Sequence, residues 1–368
     1  MDKPTPRGAP AKGQRRRLIL IGLGAVVVIG GLLAVRFWFS PLGPSLLTLA
    51  PAAGQGTQPP AAQGTAQPGA TPAATTDPSQ PTAQALTLAG DATALPSGAS
   101  CGERGVMRLL LLGSDTRTND YTTGRADFIR AVRADFGDNS VRMLSVPRDL
   151  WVPIPNLLAH GIKENRVNTA YSYGNYYQLP GGGQSLLAET LNDAFGLEFD
   201  HYLVVNFAAV EAGIDAIGGL DIDLPKDVDG TLQGMPYFKA GLNHMDGPTL
   251  LQYVRVRYID SDLYRIDRQN QVLLALRAKL LSPQVLPAVP GLLDAMRALI
   301  YTDLSPAQLS ALACLGQNVG LENFTSLKIG ADEVKPWTTD EGAQVLLPQY
   351  DLIAVLIAAF TAEQPESQ

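Results

Sequence analysis

Residues 105–117 read GVMRLLLLGSDTR. Met107 to Leu112 is a short apolar run that stops at Gly113, as a strand buried on both faces would. Asp115 and Arg117 follow directly. In α/β sheets ligands sit at the carboxyl edge of the strands, so Asp115 falls at a candidate site. Two further strand-like runs, Phe128–Ala134 and Val141–Val146, are joined by the turn-like FGDNS. If the first two strands are antiparallel neighbours, the end of one lies beside the start of the next, and Asp115 and Asp127 converge.

Outward from these strands, helix and strand patterns interleave. Gly181–Gly183 precede a helical stretch, Ser185–Phe195. His201–Asn206 is strand-like and Phe207–Ile217 helix-like, and Gly218-Gly219 turns into Leu220–Leu224. Pro248–Val254 and Tyr264–Leu281 have helical spacing. VLLPQYDLIAVLIAAF, residues 345–360, reads as a strand or turn leading into a closing helix. Such interleaving predicts an α/β fold, a mixed central sheet flanked by helices in an α/β/α sandwich. The core is expected over 104–285, with 286–365 as the C-terminal part of the same domain.

The first hundred residues differ in texture. Residues 1–17 form a basic tail, and Leu18–Val35 is an unbroken run of apolar and glycine residues, followed by Arg36 and the aromatics Phe37, Trp38 and Phe39. At about 1.5 Å per residue the run spans roughly 27 Å, close to a hydrocarbon core. A transmembrane anchor over 18–39 is expected, with a cytoplasmic N-terminus and an extracellular remainder. A cleaved signal peptide is the alternative; the run is long for one, and no A-x-A site closely follows. Residues 40–103 are rich in Pro, Ala, Gly, Thr and Gln and read as a disordered linker.

The charge is uneven. Residues 1–36 carry +6 and the remainder −13, within a chain total of −7. An acidic exterior disfavours nucleic-acid binding, so arginine clusters within it stand out. Cys101 and Cys314 would both lie outside the membrane, where a bridge is permitted; two separate thiols are the alternative. His160, His201 and His244 show no ligand spacing and read as structural or surface residues.

Beyond Asp115 and Asp127, the chemistry-bearing groups are arginines. Arg117 and Arg125 lie beside the two acids, and Arg148 stands in SVPRD just after a strand. Arg255 and Arg257 share a face only if that segment is extended or at a frayed helix end. Arg265, Arg268 and Gln269 lie on one helix face, in first turns where the dipole disfavours cations unless an anion is bound. Carboxylates suit magnesium and arginines suit phosphate, so the set points to a phosphorylated substrate handled with a metal.

LLLGSD-x-R, R-A-D, S-V-P-R-D, G-G-L before a strand, and R-x-R…D-x-x-R-x-x-R-Q stand in one order from Val106 to about Leu281. In that order the chain resembles the LytR–CpsA–Psr family of envelope proteins. The resemblance implies transfer of a glycopolymer from a polyprenyl-pyrophosphate carrier onto peptidoglycan, with a pyrophosphatase side activity. It implies that Asp115 and Asp127 ligate Mg2+. It also implies that Arg125, Arg148, Arg255, Arg257 and Gln269 contact the pyrophosphate, while Arg117, Arg265 and Arg268 match further motif positions. Asp115 is the candidate base, and Asp115, Asp127 and Arg148 are the expected catalytic set. The lipid tail is expected between sheet and helices.

Three residues depart from the family pattern. Arg166 stands where the family often has Lys. Arg130 and Arg133 fall in a strand that is usually more apolar, which predicts an exposed face there. Two other functions compete with catalysis: a polyprenyl-phosphate-binding envelope regulator that does not turn lipid over, and a stalked wall-binding protein. The second leaves the arginines unexplained. The first needs the arginines but hardly needs both aspartates.

Overall fold

The computed structural model of the chain describes residues 40–46, 101–116, 120–256, 262–285 and 299–362. The expected anchor, most of the expected linker, Arg117 and Arg257 lie outside the described residues. No helix among the described residues is long and apolar enough to cross a membrane.

The three runs of the first motif region are β1 (Val106–Ser114), β2 (Ala126–Asp135) and β3 (Ser140–Ser145), an antiparallel meander. A hairpin, β4 (Trp151–Pro153) and β5 (Glu164–Arg166), leads into helices α1 (Asn168–Tyr176) and α2 (Gly182–Phe195). Next come β6 (His201–Asn206), α3 (Phe207–Ala216), β7 (Leu220–Leu224), and the short pair β8 (Val228–Asp229) and β9 (Tyr237–Phe238). They are followed by β10 (Gly241–Met245), α4 (Gly247–Arg255) and α5 (Asp262–Leu280). The last part holds β11 (Ile300–Thr302), α6 (Pro306–Asn318), β12 (Phe324–Lys328), β13 (Val334–Thr338), β14 (Gln344–Pro348) and α7 (Tyr350–Thr361).

The central sheet runs β11-β6-β1-β2-β3-β12. β6 lies parallel to β1 and β12 parallel to β3, while the other pairs are antiparallel, so the sheet is mixed. Residues after 299 supply both edge strands.

Alternation along each strand sends side chains to two covered faces. Leu110, Leu112, Ile129, Ala131, Leu144 and Val204 pack with Tyr171, Leu186, Leu187, Leu191, Ile353 and Phe360 from α1, α2 and α7. Met107, Leu109, Val132 and Ala134 pack with Leu304, Leu309 and Leu315 at α6. Covering on both sides is why β1 reads as a continuous apolar run rather than an alternating one. A separate cluster, including Ile214, Leu220, Ile222, Leu250 and Tyr253, joins the β7–β10 ribbon to α3 and α4, and α5 packs on it.

One segment of the expected linker is docked. Leu42 N–H donates to Leu304 O at 3.2 Å, the Tyr202 hydroxyl to Pro44 O at 3.0 Å, and Leu46 N–H to Asp303 at 3.4 Å. Leu42 and Leu46 supply the apolar surface by which this segment packs on the domain.

Cys101 and Cys314 form a disulfide, tying the lead-in to β1 onto α6 across 213 residues of chain. A link of that span removes much chain entropy from the unfolded state. Replacing both cysteines by serine should lower stability by about 2–5 kcal/mol. Urea unfolding of the oxidised chain and the double variant reads this, and coincident midpoints would contradict it.

Candidate active site

The site begins with an irregularity in the β1–β2 ladder. Gly113 pairs with Phe128, but Ser114 pairs with Ala126, so β2 carries one extra residue, Asp127. A bulge of this kind re-aims a side chain and bends the strand. Asp127 Oδ1 accepts from Arg148 Nη1 at 2.8 Å and from Asn168 Nδ2 at 3.4 Å. Its main-chain carbonyl accepts from Arg265 Nη2 at 3.0 Å.

Arg148 reaches Asp127 because β3 stops at Ser145 and the chain turns at Pro147. Val146 N–H still bonds Ile129 O at 3.0 Å, holding the turn against β2. Arg148 Nε contacts Asp149 Oδ2 at 3.3 Å. Asp149 Oδ1 lies 3.2 Å from Arg166 Nε, an ion-pair distance without hydrogen-bond alignment, and Arg166 Nη2 donates to Gln344 O at 3.0 Å. The arginine at the family's lysine position therefore braces Asp149. Asn168, at the start of α1, is held by its N–H to Arg148 O at 3.3 Å. Its Oδ1 is buried without a hydrogen-bond partner.

Asp115 sits on the other side of the Ser114–Ala126 pair. Its N–H donates to Arg125 O at 3.1 Å, and its Oδ1 accepts from Arg125 N–H at 2.7 Å. Gly124 makes this possible, with φ of +94° and no side chain. A Cβ there would lie 2.6 Å from Asp115 Oδ1 and 2.9 Å from Ser114 Oγ. The loop is pinned by α1: Ser172 Oγ donates to Gly124 O at 2.8 Å and the Tyr171 hydroxyl to Tyr121 O at 2.6 Å. Burial pushes the Tyr171 hydroxyl well above its usual range, so it stays a proton donor.

Both aspartates thus lie at one end of the β1–β2 pair, around the Ser114–Ala126 step. Sequence reasoning missed Ser114 and Asn168. The Ser114 hydroxyl, like Asn168 Oδ1, is buried with no hydrogen-bond partner. With the carboxylates of Asp115 and Asp127, these are all hard oxygen donors, the kind that fit magnesium with water completing its shell. No three His, Cys, Asp or Glu residues gather into a metal cluster among the described residues.

The later arginines divide by role. Arg255 closes α4, where a cation suits the helix dipole, and lies 4.8 Å over the Phe207 ring. The helix ends there, and Val256 is extended. Arg265 and Arg268 are 3 % and 6 % exposed; Arg265 holds the Asp127 carbonyl and Arg268 donates to Val256 O. Gln269 is half-buried on the same helix, and Arg125 is exposed. The expected exposed face on β2 fails at Arg130 and survives only in part at Arg133, which borders an open cleft. Arg133 is half-buried in an ion pair with Asp135, and Arg130 is 1 % exposed. β2 is a central strand covered on both sides at its middle, so Arg130 is enclosed there.

An open polar cleft lined by Arg104, Arg108, Arg133, Asp200 and His201 lies at the start of β1. It is separated from Asp115 by the length of that strand, roughly 26 Å, and is a different place from the aspartate pair.

Two glycine substitutions should have opposite signs. Gly124→Ala should lower the melting temperature, by about 1–3 kcal/mol in stability, because of its φ and the clash with Asp115. Gly316→Ala, inside α6 with open space at the added methyl, should be neutral or stabilising by up to about 1 kcal/mol. Equal melting shifts would contradict the close approach at Gly124.

Comparison with known proteins agrees with this architecture. The LytR_cpsA_psr family profile matches residues 75–347. The Oceanobacillus iheyensis protein named polyisoprenyl-teichoic acid–peptidoglycan teichoic acid transferase TagU is 32 % identical over 212 residues, 57 % of this chain and 62 % of that protein. The Staphylococcus aureus regulatory protein MsrR is 29 % identical over 203 residues, 54 % of this chain and 57 % of that protein. The chain therefore spans less than two thirds of the length of these relatives. Among solved structures, Bacillus subtilis TagV superposes with a TM-score of 0.57 at 22 % identity, covering 72 % of this chain and 100 % of that one. TagT bound to LI-WTA gives 0.55 at 22 % identity, over 71 % and 92 %. Those two likenesses establish the fold; the profile match, over most of the chain, establishes that the protein belongs to the LytR–CpsA–Psr family.

Proposed function

We propose that the chain is a Mg2+-dependent phosphotransferase that moves a glycopolymer from a polyprenyl-pyrophosphate carrier onto peptidoglycan. In this reading residues 18–39 anchor it in the cell membrane, with the N-terminus cytoplasmic and the folded domain outside. The observation that carries it is the bulged Asp127, bridged to Arg148 beside Asp115, Ser114 and Asn168. The names of TagU and of Bacillus subtilis TagT, a teichoic acid transferase 30 % identical over 229 residues, support the same class of reaction.

In the transfer, an acceptor hydroxyl oxygen forms a bond to the phosphorus that carries the polymer. The bond from that phosphorus to the bridging oxygen breaks, and prenyl monophosphate leaves with the electron pair. The hydroxyl proton passes to a base; Asp115 is the exposed carboxylate at the site, and it would serve only through an oxygen that a bound Mg2+ leaves uncoordinated. With water in place of the acceptor, the same step is a pyrophosphatase reaction. Arg148 and Arg125, with Arg255, Arg257 and Gln269, would hold the pyrophosphate and stabilise charge developing on the leaving group. A bound Mg2+, held by Asp115 and Asp127, would neutralise further phosphate charge.

Asp127→Ala should abolish polymer attachment while the chain still folds, because Arg148 keeps Asp149 as a partner. Turnover of geranyl pyrophosphate with and without Mg2+ gives a second measure. Retained transfer by the variant would sink the catalytic reading. Lipid binding without Mg2+-dependent turnover by the wild type would favour the regulatory role that the name of MsrR carries.

A further inference from the structure

Arg130 is a buried cation that the reaction above leaves unused and that, unlike Arg265 and Arg268, holds no main-chain carbonyl at the site among the described residues. It stands in the middle of β2, paired in register with Leu111 on one side and Ser145 on the other. Its guanidinium carbon lies 4.8 Å from the centre of the Phe128 ring, so it leans along the strand toward Asp127. Nη2 donates to Asn270 Oδ1 at 2.5 Å. Nε and Nη1 are buried with no hydrogen-bond partner, and the hydroxyl of Ser145, the register partner of Arg130 on β3, is buried with none. No carboxylate pairs with this guanidinium among the described residues.

A buried charge without a counter-charge is costly, and so is a buried donor without an acceptor. Burial pushes the Arg130 guanidinium down to about 10, so it still holds its proton at neutral pH. Water could satisfy the donors but not the charge; an anion satisfies both. The position also connects to the site. α5, which supplies Asn270, supplies the Arg265 that holds the Asp127 carbonyl.

We propose that Arg130 and Ser145 bind a phosphoryl group of the substrate, deeper than the phosphate held at Arg148. The chain would then grip both phosphates of a diphosphate from two sides, with Arg130 reading the inner one. This rests on the phosphotransferase reading and adds a substrate-binding residue at a position where the family's strand is usually apolar.

The full-length chain, Arg130→Met and Ser145→Ala are titrated with inorganic pyrophosphate and with geranyl pyrophosphate by calorimetry, with melting curves of each unliganded protein. Arg130→Met should melt no lower than the wild type, because it removes an uncompensated buried charge at similar length. It should bind geranyl pyrophosphate roughly ten- to a hundredfold more weakly. Ser145→Ala should weaken binding several-fold with its melting unchanged. Equal losses for both probes make the ligand any diphosphate; a loss confined to the geranyl probe makes it the lipid-linked one. An Arg130→Met variant that melts lower or fails to fold, or a pair of variants that bind both probes like the wild type, would overturn the proposal. If those variants bind normally while Asp127→Ala loses turnover, this inference alone fails. If the wild type binds through Arg130 but never turns over with Mg2+, the catalytic reading alone fails.

Discussion

β2 has one residue more than β1 between the Gly113 and Ser114 pairs, and the candidate site is arranged around that extra residue. The side-chain period of a strand is two, so one inserted residue changes which way the following positions point. Here it turns the Asp127 carboxylate toward Arg148 and Asn168 and offers the Asp127 carbonyl to Arg265. One local irregularity thereby joins elements distant in sequence: the turn after β3, the start of α1 and the first turns of α5. The meander around it stays regular because both faces of β1, β2 and β3 are packed.

The arginines show how environment divides one residue type into separate jobs. Arg148 is half-buried between Asp127 and Asp149, and it can keep one partner if it loses the other. Arg265 and Arg268 are almost wholly buried and spend hydrogen bonds on main-chain carbonyls, which fixes α5 against the bulge and against the end of α4. Arg255 stands in the last turn of a helix and lies over an aromatic ring. Motif position alone does not separate these roles. An arginine that holds a carbonyl in place can matter to a site as much as one that touches substrate, because the carboxylate it positions moves with the backbone.

The sequence made the strands of the meander legible because burial on both faces writes a continuous apolar run, and β6, α2, α3 and α5 followed from their spacing. The expectation that Asp115 and Asp127 lie near one strand end came from antiparallel pairing. The bulge that sets their geometry has no local signature, since Phe128 and Ala126 are ordinary strand residues. The β4–β5 hairpin and α1 went unread: β4 and β5 are three residues each, and α1 is a short helix rich in Tyr and Asn. Asn168 was therefore missed as a donor, although it stands in RVNTAY beside Arg166. Arg130 was misread for a different reason. A charge in a strand usually marks a solvent face, and only the sheet order shows that β2 is central and has none at its middle.

The sheet order also bears on how an acidic domain could admit a phosphate-bearing substrate of the kind proposed above. Beyond residue 36 the chain carries −13, which by itself would repel a phosphate-rich substrate. At physiological ionic strength, charges on the surface are screened over about 8 Å. Buried and half-buried groups are screened much less, and hydrogen bonds in a poorly solvated place are stronger. Arg130, Arg148, Arg265 and Arg268 occupy that less-screened zone, whereas many of the acids, such as Asp221 and Asp227, lie on the exposed β7–β10 side of the molecule. Net charge then bears on solubility, and in the proposed reading the local excess of guanidinium would select what binds. In the reading proposed above, an anion reaching Arg130 would replace its costly unsatisfied donors with charge-assisted bonds, and the acidic exterior would discourage polyanions that cannot reach it.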